Sequence, residues 1–88
     1  MGERFSVLAD PVRRRVVELL ASGTRRAGEL ATLTGVTPPA MSRHLKALLE
    51  AGVVDDERSV TDARVRLFFL RRESLVAARD WLDEAIGR

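Results

Sequence analysis

Ala27-Gly28-Glu29-Leu30-Ala31-Thr32-Leu33-Thr34-Gly35-Val36-Thr37-Pro38-Pro39-Ala40-Met41-Ser42-Arg43-His44-Leu45-Lys46-Ala47-Leu48-Leu49 is the stretch that decides the fold. Ala27, Leu30, Ala31 and Leu33 are the apolar set of a short helix that Thr34-Gly35 stops. Its start is weakly marked: Arg26 stands where Ser or Thr would cap well, and Thr24 is the nearest capping side chain. Thr37 can cap the next helix, and Pro38 fits its first turn. Met41, Leu45 and Leu48 share one face of that helix; Ala40, Arg43, Ala47 and Glu50 lie away from it, with Ser42 and Lys46 on the flank. Two short helices that meet at a tight turn, the second with an apolar inner face and a small polar outer face, have the geometry of a helix-turn-helix, whose second helix enters the major groove of DNA. From Pro38 to Glu50 that helix is about 20 Å long at 1.5 Å per residue, which suits the groove. At its exposed start Pro38, Pro39 and Ala40 are small enough for close approach and can touch a thymine methyl. Ser42 and Arg43 can hydrogen-bond base edges or phosphates, and His44 and Lys46 can reach the flanking backbone.

Outward from this core, Asp10-Pro11 reads as an N-cap with proline at the first helical position, followed by apolar residues at Val12, Val16, Leu19 and Leu20 and a stop at Gly23. Arg13, Arg14 and Arg15 fill most of the other face and read as solvated. Phe5 and Leu8 suggest a short opening helix. Gly52 ends the second helix of the pair. Val53-Val54 then begin a strand, with Asp55-Asp56-Glu57 at its exit as a charged edge that should face away from phosphates. Ser59 to Ala63 is turn-like, and Arg64 to Leu70 alternates before becoming continuously apolar, the second strand of a hairpin. From Glu73 a helix resumes, with Leu75, Ala78, Leu82, Ala85 and Ile86 on one stripe and Val76 and Trp81 beside it. The expectation is a mainly α fold with a β-hairpin wing, a winged helix-turn-helix in the order α-α-α-α-β-β-α, as a single domain over residues 1–88.

Composition bounds the function. A chain of 88 residues allows one domain and a modest core. It buries only about 60–65% of its unfolded surface, so pairing with a second copy would help. Hydrophobic residues at 45% and charged residues at 32% are globular proportions. The absence of cysteine excludes disulfides, thiolate metal sites and cysteine nucleophiles. The net charge is +2, and the surplus sits mid-chain: residues 24–52 hold Arg25, Arg26, Arg43 and Lys46 against Glu29 and Glu50. Residues 71–88 balance to zero. No stretch is apolar enough to span a membrane. Met1-Gly2-Glu3-Arg4-Phe5 carries both charge signs and runs into a helical pattern, so no signal peptide is read there, and a cytoplasmic location is expected. One histidine cannot make a zinc site without partners. Ser42 has no general base or oxyanion motif arranged around it, so an enzyme is not expected.

Three motifs in order resemble those of ArsR/SmtB-type winged-helix repressors. Leu8-Ala9-Asp10-Pro11-Val12-Arg13-Arg14-Arg15-Val16-Val17-Glu18-Leu19-Leu20 looks like the family's opening helix, Gly28-Glu29-Leu30-Ala31 like its second signature, and Ala40 to Val54 like its recognition helix and first wing strand. The resemblance implies a homodimeric transcriptional repressor on a palindromic operator of double-stranded DNA. It implies dimerisation through the first and last helices, here Phe5, Leu8, Leu75, Trp81, Leu82 and Ile86, and an acid partner for Arg14 or Arg15. The wing would be Val53 to Leu70, with Arg64 or Arg66 on phosphates. Its tip, Ser59-Val60-Thr61-Asp62, departs from the usual Gly-Arg pattern. Ala31 and Leu33 stand where metal-sensing members carry a Cys-x-Cys pair, and the last helix has Asp80, Asp83 and Glu84 but no histidine. The chain therefore resembles the metal-independent branch, with no metal and no cofactor. For a small-molecule inducer, an 88-residue chain has little room for a pocket except at the dimer interface around Trp81. The competing reading is a winged-helix protein-interaction module without sequence-specific DNA binding, favoured by the acidic wing strand and opposed by the basic face of residues 38–46.

Overall fold

Caps and glycines set the element boundaries in the structure, a computed structural model that describes residues 2–87. Met1 and Arg88, the ends of the span read as one domain, lie outside the described residues. Asp10 accepts hydrogen bonds at Oδ1 from the backbone N–H of Val12 and Arg13, at 2.8 and 3.1 Å, and so opens the helix that Pro11 begins. Thr37 does the same for the helix starting at Pro38, accepting from the Ala40 N–H. Gly35 at φ 74° and Gly52 at φ 73° end the two central helices in the left-handed conformation. In each case the next residue reaches back five positions, Val36 N–H to Ala31 O and Val53 N–H to Leu48 O, which closes the last turn and redirects the chain. The first of these turns joins the helix pair and the second starts the wing.

The elements are α1 (Gly2–Val7), α2 (Pro11–Leu20), β1 (Arg25–Arg26), α3 (Ala27–Thr34), α4 (Pro38–Glu50), β2 (Val54–Arg58), β3 (Arg66–Leu70) and α5 (Arg72–Ala85). The expected mainly helical architecture with a β-hairpin wing is present, with one addition. The sheet has three antiparallel strands in the order β1-β3-β2. β1 pairs Arg25 with Phe68 and Arg26 with Leu67, while β2 pairs Val54 with Leu70 through to Arg58 with Arg66. A two-residue strand shows no alternation, so nothing in the local sequence announces β1. It lies along β3 because α3 packs beside the wing.

The core is Val16, Leu19 and Leu20 of α2, Leu30 and Ala31 of α3, Met41, Leu45 and Leu48 of α4, and Val53, Val54 and Phe68 of the wing. Four expectations change. Leu33 is 51% exposed rather than part of the inner face of α3, whose buried residues are Leu30 and Ala31 with Ala27 packed beside them. The second wing strand begins at Arg66, not Arg64. The loop before it is tied off by Ser59 N–H to Val65 O and Val65 N–H to Asp62 O, both 2.9 Å. The run Asp55-Asp56-Glu57 lies inside β2 rather than at its exit. There Asp56 pairs with Arg66 at 2.6 Å and Asp55 with Arg71 at 3.5 Å, so the acids are matched across and beyond the hairpin. Finally, α3 opens on half of a capping box: Glu29 Oε1 accepts from the Arg26 N–H at 3.3 Å.

Candidate nucleic-acid interface

Recognition of DNA by a helix requires a rigid inner face and a free outer one. Met41, Leu45 and Leu48 fix α4 to the core, so its opposite row, Pro39, Ser42, Arg43, Lys46 and Glu50, is exposed. Pro38 is exposed at the helix start, and two prolines in the first turn remove N–H groups that have no intrahelical acceptor. Ala40 and His44 are half-buried on the flank toward α2. His44 Nδ1 accepts a hydrogen bond at 3.1 Å from Arg13 Nε, which leaves Nε2 as the protonated nitrogen of the neutral ring. Arg13, read as part of a solvated face, is thus half-buried and braces α2 against α4. The same corner holds Asp10, whose carboxyl sits below its ordinary range. The Arg13 N–H bond is the main cause, opposed by partial burial and reinforced by the Val12 N–H and by His44 and Arg13 nearby. The other two arginines of the run divide. Arg15 pairs with Glu18 at 3.4 Å, and Arg14 donates to the carbonyls of Leu8 and Ala9, closing the end of α1.

Beside α4 lies a groove of about 570 Å³, walled by α4 on one side and by β1 and the wing on the other. Ser42 and Lys46 enter it from α4, Arg26 from β1, Arg64 from the wing loop and Arg66 from β3. Arg64, 90% exposed at its side chain, is held by Asp62 through Nε and Nη2, each at 3.1 Å. That bond, with the Arg64 N–H and the field of Arg26, keeps the Asp62 carboxyl below its ordinary range. Arg66 lies over the Phe68 ring, 5.1 Å from its centroid, with Asp56 at its Nε. Arg26, Arg43 and Lys46 make no ion pair among the described residues. Arg26 escaped the sequence reading. It stood as a poor cap, and only the β1–β3 ladder brings it to the wing.

A second surface runs along α1 and α5. Ser74 and Ala78 face inward, Leu75 packs half-buried against the core, and Arg4 Nε donates to Ser74 Oγ. The Phe5 and Trp81 rings meet with centroids 5.6 Å apart, tilted by 51°. Further along, Trp81, Leu82 and Ile86 are 49%, 45% and 69% exposed. Of the six apolar residues assigned to dimerisation, Leu75 packs against the core, Leu8 is half-buried, and the other four lie at the surface or the Phe5–Trp81 contact.

A buried two-helix unit whose second helix is flanked by a three-stranded wing defines a winged helix-turn-helix protein. The chain belongs to the arsR family of bacterial regulatory proteins, whose model matches residues 10–56. These are transcriptional regulators, not enzymes. The Bacillus subtilis transcriptional repressor SdpR is 36% identical over 58 residues, covering 66% of this chain and 64% of SdpR. A Mycobacterium tuberculosis HTH-type transcriptional regulator, Rv2034, is 42% identical over 79 residues, covering 90% of this chain and 71% of its own length. The crystal structure of another ArsR family transcriptional regulator superposes with a TM-score of 0.83 at 30% identity, covering 96% of this chain and 84% of that one. The chain thus spans roughly two thirds of the length of these curated relatives. No described helix is long and apolar enough to cross a membrane.

Proposed function

We propose that the chain represses transcription by binding an inverted-repeat operator as a homodimer, one α4 helix in each of two major-groove half-sites about 34 Å apart. The observation that carries this reading is the acid-poor exposed row of α4 set beside a groove with cations from four elements. Ser42 and Arg43 take base edges, and Pro38, Pro39 and Ala40 allow close approach. Lys46 and the wing arginines Arg64 and Arg66 take phosphates, joined by Arg26. His44 acts from the flank, its Nε2–H free to reach a phosphate while Nδ1 stays on Arg13. Trp81, Leu82, Ile86, Phe5 and half-buried Leu8 supply the dimer contact, with Leu75 packed against the core beneath it. The exposed apolar end of α5 supports this assignment, since a second copy would bury it.

Regulation belongs to the metal-independent branch. Ala31 and Leu33 stand at the cysteine-pair positions, and the sequence has no cysteine to supply thiolates. The protein acts in the cytoplasm, where its operator is. Fluorescence anisotropy with DNA from upstream of its own gene and with a scrambled duplex, each at two salt concentrations, tests the reading. Selective binding with a steep salt slope is the expected result. Equal weak binding to both duplexes would instead favour a protein-interaction module.

A further inference from the structure

We propose that the groove between α4 and the wing is a binding site for a small aromatic carboxylate. The site is argued from the free chain; its consequence, release of DNA, rests on the reading above. A duplex backbone asks for cations at a rim. This groove also has a concave apolar interior that phosphates do not use. Phe68 lies buried at its base, with half-buried Leu49 and Val65 on its walls. Its volume falls within the 300–1,000 Å³ range typical of small-molecule sites, and an apolar cleft with few convergent polar groups is their usual character. The charge is complementary to an anion. Arg26 and Lys46 converge from opposite walls without an ion pair among the described residues, and the Ser42 hydroxyl stands between helix and wing as a further donor. The two carboxylates closest to the groove's other cations, Asp56 and Asp62, are already engaged by Arg66 and Arg64. An aromatic body would lie along Leu49 and Val65 with its carboxylate between Arg26 and Lys46. A neutral aromatic would lack the head group's partners, and acetate would lack the body. Because Ser42 and Lys46 belong to the exposed row of α4, an occupied groove and a bound phosphate backbone exclude one another.

The test is a titration of the full chain with 2-naphthoate, followed by amide NMR. Saturable shifts should appear at Ser42, Lys46, Leu49, Val65 and Phe68, with a Kd of about 1 mM, the scale for a fragment-sized ligand. Arg26→Ala and Lys46→Ala should each raise that Kd roughly fivefold, the scale of one exposed charge pair, and the same spectra show that both variants are folded. Trp81→Ala should leave it unchanged. Naphthalene-2-methanol and acetate should produce no saturable shifts in the groove. Shifts confined to Phe5, Trp81 and Ile86, no saturable shifts at all, or equal binding by Arg26→Ala and Lys46→Ala would overturn the proposal. In a second arm, naphthoate should release operator DNA at concentrations that fill the groove. Groove binding without release overturns the exclusion. Groove binding by a chain that binds no DNA overturns the repressor reading and leaves the site standing.

Discussion

On the proposed reading, Arg26→Ala should lower both the affinity of a homodimer for DNA and the steepness of its salt dependence. Each phosphate neutralised by a side chain contributes about −0.9 to the slope of log K against log salt on duplex DNA. A dimer presents two copies of Arg26, so the slope should flatten by about 1.8. Between 50 and 200 mM salt that difference narrows the wild-type advantage roughly twelvefold, since fourfold more salt raised to the power 1.8 is about 12. Arg26 is suited to this role because its charge is not spent on an ion pair among the described residues. Arg66→Ala is the contrast: its guanidinium is held by Asp56 at 2.6 Å and lies over Phe68, so the slope should flatten less. The fold should survive Arg26→Ala, since β1 joins β3 through backbone bonds opposite Phe68 and Leu67. The assay is anisotropy with one labelled operator over a series of salt concentrations, beside a thermal melt of each variant. An Arg26→Ala slope equal to wild type, with an unchanged melt, would refute the placement of this residue at a phosphate.

Four further outcomes follow from the same geometry. Leu48→Ala removes a fully buried side chain from the inner face of α4 and should cost about 2–5 kcal/mol in urea unfolding, a large part of the stability of a domain this small. Gly35→Ala meets no atom within 4 Å of its new Cβ, so its cost is the left-handed backbone alone, about 1–2 kcal/mol; a neutral result would show that the turn relaxes. Trp81→Asp should shift the chain from dimer to monomer in sedimentation while leaving the helical circular dichroism of the monomer intact, and an unchanged dimer would place the interface elsewhere. The Asp10 carboxyl titrates lower in the folded chain than its unfolded value of 3.8. Its contribution is fully present above that value and is lost as pH falls through the lower folded one. Asp10→Asn, which can still cap but does not titrate, should therefore lose less stability on acidification.

Most of the fold was legible because it rests on local signals that tertiary context reinforces. Asp10-Pro11 and Thr37-Pro38 mark two helix starts, Gly35 and Gly52 two ends, and Met41, Leu45 and Leu48 the buried face between them. What escaped depends on long-range pairing. β1 is two residues long and exists through its ladder to Phe68 and Leu67, more than forty positions away in sequence. The partners of Asp56 and Asp55 likewise lie across the hairpin and beyond it, at Arg66 and Arg71, so an acidic run that looks like a strand exit is half of a cross-strand charge match. Leu33 has the right spacing for the core but the wrong side of a helix only two turns long, where one position decides inside from outside. The outer row of α4 was readable only in part: Arg43 and Glu50 are exposed as expected, but Ala40 and Ala47, expected to point away from the core, are half-buried, and Ser42 and Lys46, read as flanking, are exposed.

The same pairing explains how a chain with a net charge of only +2 can present a basic surface. Affinity for phosphates depends on which cations are free, not on their total. Arg15, Arg25, Arg64, Arg66, Arg71 and Arg79 each have a carboxylate within ion-pair distance, and Arg14 and Arg72 donate to backbone carbonyls. Arg26, Arg43 and Lys46, by contrast, gather on α4 and the strand beside it. The wing is not basic in composition: residues 53–70 hold Asp55, Asp56, Glu57 and Asp62 against Arg58, Arg64 and Arg66, and Asp56 and Asp62 pair with Arg66 and Arg64, so the hairpin adds no large non-specific field. On the proposed reading, sequence-independent attraction to DNA should stay modest, and the contacts proposed for Ser42 and Arg43 should carry a larger share of the discrimination between operator and other DNA. Adding charge at the wing tip would raise affinity for every duplex, whereas changing Arg43 would alter which duplex is preferred.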